Sequence, residues 1–134
     1  MTSENHNDLS FKIIGAAIEV HRILGPGVME KIYRSALAYE LREMGIKVEE
    51  EVLIPLSYKK LLISDMCRAD IIVGSQIIVE LKATENDNDL YAKQLLTYLK
   101  LSGLKLGLVI NFNRLKLKDG ISRIINNNGI ELPK

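Results

Sequence analysis

A single cysteine, Cys67, occurs among 134 residues, so no intrachain disulfide can brace this chain. Cys67 adjoins an apolar run and reads as a small core side chain, with nothing in the sequence placing a base beside it. No apolar stretch approaches the roughly 20 residues that a membrane-crossing helix needs. The opening Met1–Ser10 is polar and lacks the apolar segment of a secretory signal. These absences point to a cytoplasmic protein with no membrane partner. A strong charge excess is also missing: the net charge is +1, which excludes a uniformly basic nucleic-acid binder. Acids are scarce in one region only. From Lys93 to Arg123 there are seven basic residues and one acid, Asp119, whereas the rest holds 11 basic residues and 16 acids. A cationic final third suits a phosphate backbone, and equally fits a solvated basic face.

What is present suffices for one core. Apolar residues make up 47% of the chain, and the length is that of one domain, 1–134, with frayed ends expected at 1–8 and 127–134. Apolar residues at 9, 13, 14, 17, 18, 20 and 24 predict a helix, capped by Asp8 or Ser10 and stopped by Gly25-Pro26-Gly27. A second helix is expected from about Val28 to Met44, ending at Gly45. Strand-formers run over Val48–Tyr58, Leu61–Val73 and Ile77–Ala83, with Pro55 marking an edge or a bulge. Gly74-Ser75-Gln76 marks a hairpin between the last two runs. A third helix over about Leu90–Leu101 leads to a fourth strand, Leu104–Phe112. Ile121–Ile125 adds a short strand or helix. The expected fold is α/β in the order α-α-β-β-β-α-β: a mixed central sheet of about four strands flanked by helices. The three-strand meander is antiparallel, and the crossover through the third helix sets the last strand beside it.

Three charges do not fit a core. Asp70 lies in Cys67-Arg68-Ala69-Asp70-Ile71-Ile72-Val73, and Glu80 and Lys82 lie in Ile77-Ile78-Val79-Glu80-Leu81-Lys82. Strands this apolar are usually buried on both faces, where an ion is costly unless paired or bound to metal. Register decides whether the two carboxylates meet. A two-residue turn sets Asp70 opposite Val79, and a three-residue turn over Gly74-Ser75-Gln76 sets it opposite Glu80. Opposed side chains stand roughly 4.5–5.5 Å apart, and two carboxylates there repel unless a cation or a proton intervenes. The three-residue register is expected. An ion pair of Asp70 with Lys82 or Arg68 is the structural alternative. Glu30, in the first turn of the second helix, shares a face with Tyr33, Leu37 and Leu41. It either points toward a site or stabilises the helix dipole. Gln94 and Tyr98, four apart on the third helix, share a face as a polar pair or a simple helix edge.

Gly27-Val28-Met29-Glu30-Lys31-Ile32-Tyr33 resembles the GxxExxY motif that names a group of small bacterial and archaeal proteins. The preceding Glu19–Gly27 segment is similar to that family's entry sequence. Similar too are Arg68-Ala69-Asp70, Val79-Glu80-Leu81-Lys82, Gln94-Leu95-Leu96-Thr97-Tyr98-Leu99, Gly107–Phe112 and Leu117–Ile121. The resemblance covers nearly the whole chain. The family is placed in the PD-(D/E)XK nuclease superfamily, which implies a mixed sheet flanked by helices. It implies Asp70 and Glu80 as metal ligands, Glu30 as the helical acidic residue and Lys82 as the catalytic lysine. Gln94 and Tyr98 match the superfamily's QxxxY motif. Ala69 replaces the proline of the superfamily name, at a position that does no chemistry.

The resemblance therefore implies a metal-dependent nuclease acting on DNA, or on RNA. Mg²⁺ or Mn²⁺ would be held by Asp70, Glu80, the Leu81 carbonyl and Glu30. Lys82, Glu80, Asp70 and Gln94 would carry the chemistry, and Tyr98, Tyr33 and Lys93 would contact substrate. His21, late in the first helix, is a further candidate ligand, because some exonucleases of the superfamily use an upstream histidine. A silent module that binds nucleic acid or a partner protein competes with this reading, as does a buried salt-bridge network. A chain this short also leaves room for a homodimer or a partner protein.

Overall fold

The structure, a computed structural model, describes residues 5–63 and 67–127. Helix α1 spans His6–Leu24 and buries Leu9, Ile13, Ala16, Ala17 and Val20; of the stripe that the sequence predicts, Ile14 and Leu24 are half-buried and Ile18 is exposed. Its cap is Asn5, whose side chain accepts a hydrogen bond from the Asp8 N–H at 2.9 Å. Neither Asp8 nor Ser10 serves. The polar residue three positions ahead of Asp8 has the reach that capping needs, so residues 6–8, expected to fray, are helical. The rest of the expected frayed ends, 1–4 and 128–134, lies outside the described residues. Helix α2 spans Glu30–Glu43 and buries Tyr33, Leu37, Ala38 and Leu41. Gly45 follows it with φ 78°, a left-handed conformation that suits glycine.

Five strands form the main sheet in the order β1-β4-β5-β6-β7. They are β1 Val48–Leu53, β4 Arg68–Val73, β5 Ile77–Lys82, β6 Leu106–Asn111 and β7 Ile121–Ile125. The pairs β1–β4, β4–β5 and β6–β7 are antiparallel, and β5–β6 is parallel. Helix α3, Asp89–Ser102, makes the crossover that the parallel pair requires. Strands β2, Leu56–Tyr58, and β3, Leu61–Ile63, form a separate hairpin. The sequence joins β2 to β1 and β3 to β4 as two long strands. Pro55 separates β1 from β2 because it has no N–H for a ladder. Residues 64–66, between β3 and β4, lie outside the described residues. β1 is an edge strand, as Pro55 suggests.

Two cores flank the sheet. Ile71, Val73, Ile77, Val79, Leu81, Leu108 and Ile110 pack with α1 and α2. Ala69, Ile78 and Val109 pack with Leu95, Tyr98 and Leu99 of α3. Alternation along β5 thus sends Ile77, Val79 and Leu81 to one face and Ile78, Glu80 and Lys82 to the α3 face. Gly107 lets α3 sit close, since a Cβ there would stand 2.8 Å from Leu95 Cδ2. No described helix is long and apolar enough to cross a membrane.

Candidate metal centre

The turn between β4 and β5 has three residues, 74–76, and Val73, Ile72 and Ile71 pair with Ile77, Ile78 and Val79. The next step sets Asp70 against Glu80, and there side chains replace the backbone ladder. The Asp70 N–H donates to Glu80 Oε1 at 3.0 Å, and the Leu81 N–H donates to Asp70 Oδ2 at 2.8 Å. The ladder on the other side of Asp70 is interrupted as well. Glu51 falls between the Glu50–Ile71 and Val52–Ala69 pairs, hence opposite Asp70, and has φ 50°. A non-glycine residue in that conformation costs about 1–2 kcal/mol. Asp70 therefore stands in a gap that both neighbouring strands leave open.

The gap is electrostatically unbalanced. Glu80 is 7% exposed. Burial, then the negative charge of Asp70, pushes its carboxyl up to about 8; the hydrogen bond from the Asp70 N–H, and next the Lys82 charge, oppose this more weakly. The protonated form also gains by donating a hydrogen bond to Asp70. In the metal-free protein the folded state thus holds a proton that the unfolded carboxyl loses near pH 4.5. The folded state binds more protons between these two values, so stability is expected to fall as pH rises through that window. The loss is on the order of 1.4 kcal/mol for each pH unit crossed. Urea unfolding in chelator at several pH values measures the slope, and Glu80→Gln should flatten it.

Glu30 is exposed as a residue, yet burial raises its carboxyl pKa, Lys82 lowers it and Asp70 raises it further. Glu30 thus senses the charges of Lys82 and Asp70 from the first turn of α2. On the α3 side, Lys82 Nζ lies 4.6 Å from the centre of the Tyr91 ring, a cation–π contact. Gln94 Nε2 donates to the Tyr98 hydroxyl at 3.2 Å. Burial, and next the charge of Glu80, raises the Tyr98 pKa. Tyr91 is a site neighbour that the sequence reading does not single out. Its signal was its position seven residues before Tyr98 and three before Gln94, one helical face.

Leu81 contributes backbone. Its N–H is used by Asp70, and the N–H and C=O of one strand residue leave by the same edge. The Leu81 carbonyl therefore opens on the gap. Lys93 is exposed on α3, and its carbonyl accepts from Thr97 Oγ1.

Two candidates stand elsewhere. Tyr33 is wholly buried, stacked on Phe112 with ring centres 4.2 Å apart. Its hydroxyl donates to the Gly25 carbonyl and accepts from the Val28 N–H. A substrate contact is therefore corrected to a structural one: Tyr33 ties down the loop that leads into Glu30. Tyr33→Phe leaves both loop groups without this partner, and is expected to cost about 1–3 kcal/mol in chemical denaturation. His21 Nε2 lies 2.7 Å from the Arg114 carbonyl. A carbonyl only accepts, so this nitrogen carries its proton and is not free to ligate.

A network that sequence reasoning passed over fixes the segment after Lys82. The Asn111 side chain accepts from the N–H groups of Thr84 and Asn113 and donates to the Thr84 carbonyl and Asp87 Oδ1. Arg114 pairs with Asp87 at 2.8 Å. Asn111 is the β6 partner of Lys82. Its signal was a lone amide closing an apolar strand. Gly120 packs so close to the Asn111 carbonyl that any Cβ would overlap it.

Among the described residues, no three His, Cys, Asp or Glu side chains are gathered into a ready metal cluster. The donors that do meet fit a hard divalent ion nonetheless. They are all oxygens: two adjacent carboxyls, each with one oxygen held by a backbone N–H, and a strand carbonyl. A divalent cation would also offset the repulsion between the Asp70 and Glu80 carboxyls. In comparison with known proteins, a family model described as the PD-(D/E)XK nuclease superfamily matches residues 7–124. No curated protein and no solved structure matches the chain.

Proposed function

Because the chain belongs to the PD-(D/E)XK nuclease superfamily, we propose that it hydrolyses phosphodiester bonds in nucleic acid, DNA foremost, at the gap holding Asp70, Glu80 and Lys82. Membership of the GxxExxY group within that superfamily is part of the same reading. Nucleases of this superfamily generally use divalent metals, and Mg²⁺ or Mn²⁺ suits the oxygen donors of Asp70, Glu80, Leu81 and Glu30. Bound there, the ion would activate water and offset charge on the phosphate. The observation that carries the proposal is the break in both ladders at Asp70, which sets two carboxyls side by side, each with one oxygen held by a backbone N–H.

The chain's own residues divide the remaining work. Asp70 and Glu80 would hold the cation, with Glu30 as a further carboxylate supplied from α2. Lys82 leaves the Tyr91 ring to approach the phosphate, orients the attacking water and neutralises developing negative charge. Gln94 positions Lys82 or the phosphate, using the amide that otherwise bonds Tyr98. Tyr98 and Lys93 contact the nucleic acid. A cytoplasmic setting and a homodimer or protein partner complete the proposal.

The position of Lys82 over Tyr91 favours a second reading, a module that binds nucleic acid or protein without cutting. A cleavage assay separates the two. The protein is incubated with linear, circular, single-stranded and branched DNA and with RNA, in Mg²⁺ or Mn²⁺. Cleavage that disappears in Lys82→Ala supports the nuclease. Binding without cleavage of any substrate supports the module.

A further inference from the structure

Arg34, one helical turn after Glu30 on α2, points its guanidinium at two carboxylates without a good hydrogen bond to either. Its Nε is 3.5 Å from Glu50 Oε1, and its Nη1 is 3.4 Å from Glu51 Oε1. Nε is buried with no hydrogen-bond partner among the described residues. Glu50 is already engaged, because its other oxygen accepts from Arg42 Nη1 at 2.9 Å. Arg68, two residues before Asp70 and largely exposed, has Nη1 4.0 Å from the same Glu51 oxygen that Arg34 faces. Among the described residues, two guanidinium groups thus converge loosely on one carboxylate oxygen, and Arg34 Nε has no hydrogen-bond partner. A guanidinium fork matches the oxygens of a phosphate better than a single distant carboxylate oxygen.

Glu51 is held there by unusual backbone. Consecutive residues of a regular strand point to opposite faces, yet Glu50 and Glu51 both reach Arg34 of α2. The left-handed conformation of Glu51, at φ 50°, accounts for the departure. The same residue faces Asp70 across the β1–β4 register, between the pairs of Glu50 and Val52.

We propose that Arg34 and Arg68 form a phosphate-binding site beside Asp70, in which the Glu51 carboxylate is a resident anion that an incoming phosphate displaces. The site lies toward β1, on the opposite side of Asp70 from Glu80. A nucleic-acid strand crossing the metal centre would place there a phosphate neighbouring the one to be cut. That assignment of the carrier rests on the nuclease reading; the anion site itself does not.

The test has two arms. In the first, inorganic pyrophosphate is titrated into the full chain while the arginine side-chain N–H signals are followed by NMR. The signals of Arg34 and Arg68 are expected to move together and to saturate. Arg68→Ala, on the surface, is expected to weaken binding by about tenfold or more, the worth of a charge-assisted hydrogen bond. Glu51→Gly fits the backbone and removes the competing charge, so it is expected to tighten binding several-fold; Glu51→Gln should tighten it too. Signals that stay still, or affinities unchanged in Arg68→Ala and both Glu51 variants, overturn the proposal. In the second arm, DNA and RNA oligonucleotides replace pyrophosphate in a Lys82→Ala background. If pyrophosphate binds as expected and no oligonucleotide does, the anion site stands and the nuclease reading falls. If oligonucleotides bind equally well with and without Arg68, the proposal falls and the nuclease reading stands.

Discussion

Asp70→Asn is expected to abolish divalent-metal binding and metal-dependent cleavage while leaving the metal-free protein at least as stable as the parent chain. The two halves of this result have one cause. The amide oxygen of the substituted side chain can still accept the Leu81 N–H that Asp70 Oδ2 accepts, so the strand end keeps its hydrogen bond. What disappears is a negative charge beside buried Glu80, the second largest cause of that carboxyl's raised pKa. Glu80 then ionises at lower pH, and the stability lost on raising pH shrinks. The gain near neutral pH is on the order of 1 kcal/mol, the scale of a one-unit pKa change. A residue present for stability behaves in the opposite way, since its removal weakens the fold. Urea unfolding in chelator, alongside an activity assay, reads both halves.

Lys82→Ala is expected to lower the rate of cleavage by about 10²–10⁴-fold, as loss of a positioned proton-transfer or charge-stabilising group does. Oligonucleotide affinity should change little, because Lys82 acts at one phosphate among several contacts. Fold stability should also change little. The contact of Lys82 with Tyr91 is on a partly exposed ring, and a cation–π pair in such a place is worth about 0.5–1 kcal/mol. Lys82→Arg should not restore the rate, because a planar guanidinium cannot take the place of a compact ammonium that turns toward water and phosphate. Single-turnover rates with a separate binding measurement distinguish lost chemistry from lost affinity.

The carboxylates of this site were legible in the sequence for a local reason. Charges inside apolar strands stand out against their neighbours, and a turn of three residues fixes how two strands align, so the pattern alone pairs Asp70 with Glu80. The helices, the α3 crossover and the mixed sheet followed from periodicity and punctuation in the same way. Tyr33 enters as a substrate contact only through the motif resemblance, and a shared motif does not say whether a side chain faces the site or the core. Three residues beyond Glu30, it has already turned into the protein, onto Phe112. The contacts of Lys82 with Tyr91 and of Asn111 with Thr84 depend on how α3 seats on the sheet and on the β5–β6 register. Both are long-range choices that local pattern does not encode. Glu51 belongs with these, since nothing in Glu49-Glu50-Glu51 signals which of three glutamates takes a left-handed backbone.

On the nuclease reading, the gap between β4 and β5 is a cation site and not a buried ion-pair network. Titration of Mn²⁺ into the full chain, followed by electron paramagnetic resonance of the free ion, tests this without requiring a substrate. Saturable binding is expected for the unaltered protein, retained in Lys82→Ala and lost in both Asp70→Asn and Glu80→Gln. Absence of binding to the unaltered protein, or binding that survives the loss of Asp70, would contradict it.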